Sequence, residues 1–417
     1  MKVAIIGSAY AGNKGAAAML ESAVFHLTDR NADVQFTLLS MYPRSDAERN
    51  AHSNLRVVNA SPLRLGVAIN GGALAWRALP PLRRWIGRAI PGVGAIAEAD
   101  VLLDQGGITF VDGRGKYLVY NVASILPAVF TRTPVVKCAQ ALGPFESRLN
   151  RAAARSLLPR MAAIVSRGAV THRHLVDLGL TNIEEGADLA FALDVTLADK
   201  SSAAGSVDTA FFRGKDVVGV SPSQVLRTST DTVGGDYVAE VVAQIDFLTE
   251  ELGRPVFLIP HSVRMNATKL HNNDLPLCRD IYARVASPSR VLFPEGELTS
   301  QELRSLIGRC DLFVASRFHA MVSSLAMGVP TLVIGWSHKY REVLDMFGLS
   351  AWALAHEAVT LEVFRDRVRE LDRAKGKVRR DLVASVPKVR AVAMLQLDTI
   401  ERIAREREAV RRRPKKD

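Results

Sequence analysis

The sequence predicts an α/β protein of two facing doubly wound, Rossmann-like domains followed by a helical tail. Three observations predict it. Short apolar runs alternate with helical patterns, as expected of buried parallel strands joined by helical crossovers. The alternation stops at Leu197–Arg213, a stretch rich in Ala, Ser, Asp and Gly with the composition of a linker, and then restarts. The 417 residues, 48% apolar, suffice for two cores of ordinary size. The expected division is residues 1–200, 214–355 and a basic helical tail, 356–417.

Val3–Ile6 reads as the first strand. It enters the turn Gly7-Ser-Ala-Tyr-Ala-Gly-Asn13-Lys-Gly15, whose glycines let the backbone approach a ligand, and a helix follows. The spacing fits neither a dinucleotide fingerprint nor a Walker loop. Val34–Met41 and Leu55–Val58 are the next strands. Leu63–Ala97 is an insertion of Leu, Ile, Trp76 and Trp85 interleaved with Arg64, Arg77, Arg83, Arg84 and Arg88, without an acidic residue. It reads either as helices packed on the sheet or as a segment lying in a membrane interface. Asp100–Asp104 runs into a glycine-rich turn, with Asp104 as an acidic candidate. Asp104 is a candidate base, though an aspartate at a strand end is more often a helix cap or structural acceptor. Pro134–Ala139 and Ala162–Val165 complete the set, the last ending at Ser166-Arg167. Read from the residues alone, Arg167 is a surface arginine. His172 and His174 lie two apart on a helix and face different ways.

The second half gives strands at Val217–Val220 and Pro255–Ile259, the latter ending at His261. A helix over Tyr237–Leu252 separates them. Asp274 reads as a helix cap. Thr299 and Glu302 have capping-box spacing ahead of Leu303–Ile307.

Lys and Arg number 54 and Asp and Glu 43, a net charge of +11. That excess favours anionic partners. Nucleic acid is excluded as the weakest class, since no recognised binding motif is present. Cys138, Cys278 and Cys310 are far apart, without metal-ligand spacing, and read as buried thiols in a reducing compartment. The chain opens directly on a strand and carries no apolar run of spanning length. The reading is a cytoplasmic protein, with peripheral contact at the inner face of an anionic membrane left open by the insertion and by the basic end, Arg405–Asp417.

The densest signal is Cys310–Leu344. Asp311–Ala315 is a buried strand, Ser316-Arg317-Phe318-His319 leads into the small-residue helix Ala320–Met327, and Gly328-Val329-Pro330 ends it. Thr331–Ile334 is the next strand, and Ser337-His338-Lys339 opens another helix. Arg317, His319 and Lys339 thus fall past the carboxyl ends of adjacent strands, where open α/β sheets bind ligands. Cations and helix N-termini gathered there suit a phosphate or carboxylate.

This pattern, S-R-F-H-A followed by a small-residue helix, G-V-P and a lysine, resembles the polysaccharide pyruvyl transferase family. Gln140–Pro144, Ser166-Arg167, Asn182–Asp188 and the opening G-x-x-N-x-G turn with Asn13 and Gly15 are similar to it too. Ala16 and Ala17 stand where the family usually has acidic residues. The resemblance implies a GT-B-like architecture with the acceptor on the N-terminal domain and phosphoenolpyruvate on the C-terminal one. It implies transfer of the pyruvyl group of phosphoenolpyruvate onto two hydroxyls of a sugar as a cyclic ketal. The sugar would belong to a polysaccharide, a glycolipid or their precursor. No metal or cofactor is implied beyond phosphoenolpyruvate as donor. His319 would be the acid/base, with Arg167 on phosphoenolpyruvate and Arg317, Lys339, His261, Asn13 and Gly15 binding substrate. The alternatives are a GT-B glycosyltransferase using a nucleotide sugar, a sugar-nucleotide epimerase, or a family member that only binds glycans.

Overall fold

The computed structural model describes residues 1–113, 115–196, 207–265, 272–335 and 338–412. The chain divides into two compact units, each built from separated stretches. Unit 1 is Met1–Ala11, Met19–Ala192 and Arg390–Asp417; unit 2 is Gly12–Ala18 and Leu193–Val389. The turn carrying Asn13 and Gly15 therefore belongs to the second unit. The tail is one helix, Leu361–Arg412, whose last part belongs to the first. Residues 197–206 of the expected linker, Ser337 and the basic end 413–417 lie outside the described residues.

Unit 1 holds a seven-stranded sheet. In spatial order its strands are Leu55–Asn59, Gln35–Ser40, Lys2–Ile6, Val101–Asp104, Val135–Gln140, Ala163–Ser166 and Ile183–Glu185. Every pairing is parallel. Val3, Ala4, Ile5 and Ile6 are buried, as a central strand covered on both faces requires. Strand order reverses between Lys2–Ile6 and Val101–Asp104, and their following turns meet. Gly7 has φ +86°, and a Cβ there would lie 2.6 Å from the Gly106 amide nitrogen. The insertion forms short helical pieces, among them Asn70–Ala78, Arg83–Ala89 and Pro91–Glu98. Leu65, Ile69, Ala73, Ile86, Val93 and Ile96 anchor it in the core.

Unit 2 repeats the plan with six parallel strands. Their order is Val291–Leu292, Val256–Leu258, Val218–Ser221, Leu312–Ala315, Thr331–Gly335 and Ala353–Ala355. Its switch point lies between Val218–Ser221 and Leu312–Ala315, with Ala315 opposite Ser221. The expected Asp311–Ala315 unit is a fully buried strand, LFVA, followed by helix Phe318–Ala326. Gly328, at φ +70°, ends that helix in the left-handed region glycine favours. Thr331 Oγ1 donates to Ser324 Oγ at 2.8 Å, so small side chains seat the helix on the sheet. The capping box forms as expected at Thr299 and Glu302. The helix expected over Tyr237–Leu252 runs as an α-helix to Asp246 and closes in a wider turn, Phe247–Glu251. Asp274 differs from its expected role: Asn273 caps that helix, and Asp274 lies fully buried one position later.

Within unit 2 the long helix is held by charge. Arg254 reaches Asp311 at 3.1 Å and Asp372 at 2.7 Å, and Lys375 reaches Asp311 at 2.6 Å. Within unit 1, Gln396 donates to the Ala187 carbonyl at 3.1 Å and Arg411 pairs with Asp100 at 2.9 Å.

Candidate active site

The residues singled out in the sequence separate between the units: Asn13, Gly15, His261, Arg317, His319 and Lys339 lie in unit 2, and Arg167 lies in unit 1.

In unit 2 the two-residue strand Gly12–Asn13 pairs antiparallel with Ser262–Val263. The Lys14 amide donates to the His261 carbonyl at 3.4 Å. Asn13 Oδ1 accepts from the Gly15 amide at 3.0 Å, turning the chain into its helix. Gly15 then rests on His319. A Cβ at position 15 would lie 1.9 Å from His319 Cγ and 2.0 Å from Nδ1, so only glycine leaves the imidazole its place. His319 is the second residue of helix Phe318–Ala326, where backbone amides favour an anion.

Arg317 is committed to the protein. Its Nε donates to both Asp274 oxygens, at 2.9 and 2.8 Å, and its Nη1 donates to Asn272 Oδ1 at 2.7 Å. Asp274 in turn accepts from the Gln224 amide at 3.0 Å and the Ser262 amide at 2.8 Å. One buried carboxylate thus ties together the chain after Val218–Ser221, the His261 loop and the S-R-F-H turn. Breaking such a buried pair costs about 3–5 kcal/mol. Arg317 therefore braces the turn.

His261 is buried, and its pKa lies well below the usual histidine value. Burial is the largest cause, followed by the positive charges of His319, Arg317, Arg304 and Lys14. The same four groups define the site's electrostatics. Lys14 pairs with Glu297 at 2.7 Å, and Arg304 Nε donates to Ser323 Oγ at 3.4 Å while 1% exposed. Lys339 is buried, with Nζ 5.0 Å from the Phe318 ring centroid. Tyr340 donates to the Ser316 carbonyl at 3.0 Å, fixing the turn beside it. Ser221, the last residue of strand Val218–Ser221, and Ser223, just before helix Gln224–Thr232, carry buried hydroxyls without a hydrogen-bond partner among the described residues. Cations, imidazoles, hydroxyl donors and helix amides at one sheet edge are chemistry for a small polyanion.

In unit 1, Arg167 is no surface arginine. It is 2% exposed at the end of Ala163–Ser166, with Nη1 3.3 Å from Asp188. Asp104 is engaged as a structural acceptor. Lys137 Nζ donates to it at 2.5 Å and the Gly106 amide at 3.0 Å, both side chains of the pair being buried. Gln140 Nε2 donates to the Asp104 carbonyl at 2.6 Å, and Thr109 donates to Gln140 at 2.5 Å. Asp112 accepts from the Glu146 amide at 2.5 Å and from Asn150 at 2.9 Å, holding the loop after the glycine turn. All three cysteines are buried and free.

Sequence reasoning missed Lys14, Arg304 and the Asp104–Lys137 pair. Lys137 carried a signal, a lysine inside the otherwise apolar strand Val-Val-Lys-Cys-Ala. Arg304 sits in a capping-box helix that reads as solvated.

Residues 13–338 match the polysaccharide pyruvyl transferase family. A curated relative, the amylovoran biosynthesis protein AmsJ of Erwinia amylovora, is 20% identical over 379 residues, covering 85% of this chain and 88% of its own. Among solved structures, the UDP-GlcNAc 2-epimerase of Neisseria meningitidis superposes with TM-score 0.61 at 10% identity, over 96% of this chain and 100% of its own. The Methanocaldococcus jannaschii UDP-GlcNAc 2-epimerase gives 0.56 at 13% identity, over 88% of this chain and 92% of its own. Anabaena Alr3699/HepE in complex with UDP-glucose gives 0.52 at 13% identity, over 98% of this chain and 99% of its own. These likenesses show a GT-B-type fold. The match spanning both units carries the S-R-F-H turn and the Asn13–Gly15 loop, and the chain belongs to the polysaccharide pyruvyl transferase family.

Proposed function

We propose that the protein transfers the pyruvyl group of phosphoenolpyruvate onto two hydroxyls of a sugar, forming a cyclic ketal and releasing phosphate. The observation that carries this reading is the unit 2 cluster, in which His319 and His261 lie among Lys14, Arg304 and Arg317. Family membership supplies the reaction class.

The donor carries a phosphate and a carboxylate on a three-carbon enol. In this reading Lys339, Arg304 and the amides at the start of helix Phe318–Ala326 receive the two anionic groups. The Ser221 and Ser223 hydroxyls donate to the same oxygens. His319 delivers a proton to the methylene carbon, the double bond is lost and positive charge develops at carbon 2. One sugar hydroxyl bonds there and gives up its proton to the now neutral His319, which restores the proton donor. The bond from carbon 2 to the phosphate oxygen then breaks, the second hydroxyl closes the ring, and its proton leaves with the phosphate. One enol and two hydroxyls thereby become one ketal and one inorganic phosphate. His261, held neutral by burial and surrounding cations, acts as a hydrogen-bonding group rather than as the proton donor. Arg167 is held by Asp188 in unit 1. The acceptor is a sugar of a polysaccharide or its precursor, and catalysis takes place without a metal or further cofactor.

The test is acceptor-dependent phosphate release from phosphoenolpyruvate, with the ketal identified by mass and by its methyl proton resonance. Turnover that is lost in His319→Ala supports the reading. Sugar transfer from a nucleotide sugar, with phosphoenolpyruvate inert, overturns it.

A further inference from the structure

The outer face of the insertion in unit 1 has the chemistry of a membrane-contact surface. Between Glu48 and Glu98 the chain contains no acidic residue and seven arginines. Leu65, Ile69, Ala73 and Ile86 turn inward to the core. On the other side of the same short helices, Leu63, Val67, Leu74, Leu79, Leu82 and Trp85 are exposed, Leu63 at 78% and Trp85 at 68%. Arg64, Arg77, Arg84 and Arg88 are exposed among them. The frame beneath is firm. Asn70 Nδ2 donates to the Leu65 carbonyl at 2.7 Å and to the Ala123 carbonyl at 3.0 Å, tying the insertion to helix Gly115–Thr131. Arg83 stacks on Trp76 at 4.3 Å and donates to its carbonyl at 3.0 Å.

We infer that this face docks the protein on a bilayer bearing anionic lipid headgroups. Leucine, valine and tryptophan side chains enter the acyl boundary while the arginines meet phosphates at the same depth. The interleaving distinguishes this surface from a protein-binding face. The centre of a protein interface is depleted in charge, whereas here exposed Arg64 adjoins Leu63, and exposed Arg77, Arg84 and Arg88 flank Leu79, Leu82 and Trp85 in the chain. Charge complementarity selects the occupant: an exposed stretch that carries no carboxylate between Glu48 and Glu98 suits a polyanionic plane. The inference stands independently of the reaction assigned above.

The experiment is co-sedimentation of the full chain with vesicles of phosphatidylcholine alone or mixed with phosphatidylglycerol. Binding to the anionic vesicles, weakened by salt, is expected, with little binding to phosphatidylcholine. Each arginine near the surface contributes about fivefold, so R77Q/R84Q/R88Q should weaken binding about 100-fold at an unchanged melting temperature. L82S/W85S should weaken it independently, and Trp85 emission should shift to the blue on binding. Absence of binding at low salt overturns the proposal, as does binding that ignores both variants. A salt-insensitive dimer abolished by L82S/W85S would also overturn it, by showing the face to be a protein contact.

Discussion

Replacing Gly15 by alanine tests how tightly the first turn of the chain positions His319. The new methyl carbon would stand 1.9 Å from His319 Cγ, 2.0 Å from Nδ1 and 2.5 Å from Cβ. Ordinary carbon contacts lie near 3.5–4.0 Å, so the imidazole must retreat by roughly 1.5–2 Å or the Asn13–Gly15 turn must lift from Ser262–Val263. Overpacking of this kind costs about 1–3 kcal/mol. A displacement of this size also costs about 100-fold in rate when the displaced group does chemistry. The assay is a double-mutant cycle by urea denaturation over wild type, Gly15→Ala, His319→Ala and the double variant, with turnover measured on each. Removing the ring relieves the two shortest contacts and leaves the 2.5 Å approach of Cβ. The double variant should therefore recover about 1 kcal/mol relative to additivity. His319→Gly should recover more. In turnover, Gly15→Ala and His319→Ala should be non-additive. Strictly additive stabilities, or a Gly15→Ala protein of full stability and activity, would refute the contact.

The remaining predictions concern buried charge. The pKa of His261 is depressed in the folded state, chiefly by burial and then by neighbouring cations, so below about pH 6.5 the unfolded chain takes a proton that the folded protein refuses. Stability should fall with pH in that window by about 1.4 kcal/mol per unit, down to the depressed folded pKa. His261→Asn should flatten this part of the profile; an unchanged difference between pH 7 and pH 5 would refute it. In unit 1, Lys137→Met leaves Asp104 charged and buried, and should cost about 3–5 kcal/mol. Adding Asp104→Asn should restore part of that loss, as read from denaturation midpoints, and a further loss in the double variant would contradict the pairing.

Much of the fold was legible because parallel strands covered on both faces are continuous apolar runs, as in Val-Ala-Ile-Ile and Leu-Phe-Val-Ala. The strands that went unread are those in which that signal fails. Val291–Leu292 and Ala353–Ala355 are too short to show a period, and two of the three residues of Ile183–Glu185 are glutamates. The strand, turn and helix around S-R-F-H were legible because an apolar run ends there and a small-residue helix begins. The partners of those residues were not. Asp274 resembles any cap, and its role depends on a backbone amide 50 residues earlier and an arginine 43 residues later. The assignment of Gly12–Ala18 to unit 2 rests on a two-residue pairing with Ser262–Val263, too little for any local pattern to announce. The burial of Arg167 was not legible from its own position, because a buried guanidinium is recognised only with its carboxylate, 21 residues on.

The most direct test of the central claim is the melting temperature with phosphoenolpyruvate, with UDP and a UDP-sugar as controls. A ligand that binds only the folded protein stabilises it by about 2.7 kcal/mol at a hundred times its dissociation constant. The account predicts a rise with phosphoenolpyruvate that is lost in Lys339→Ala and weakened in His319→Ala, and none with UDP. A rise with UDP alone, or a phosphoenolpyruvate effect indifferent to both substitutions, would contradict it.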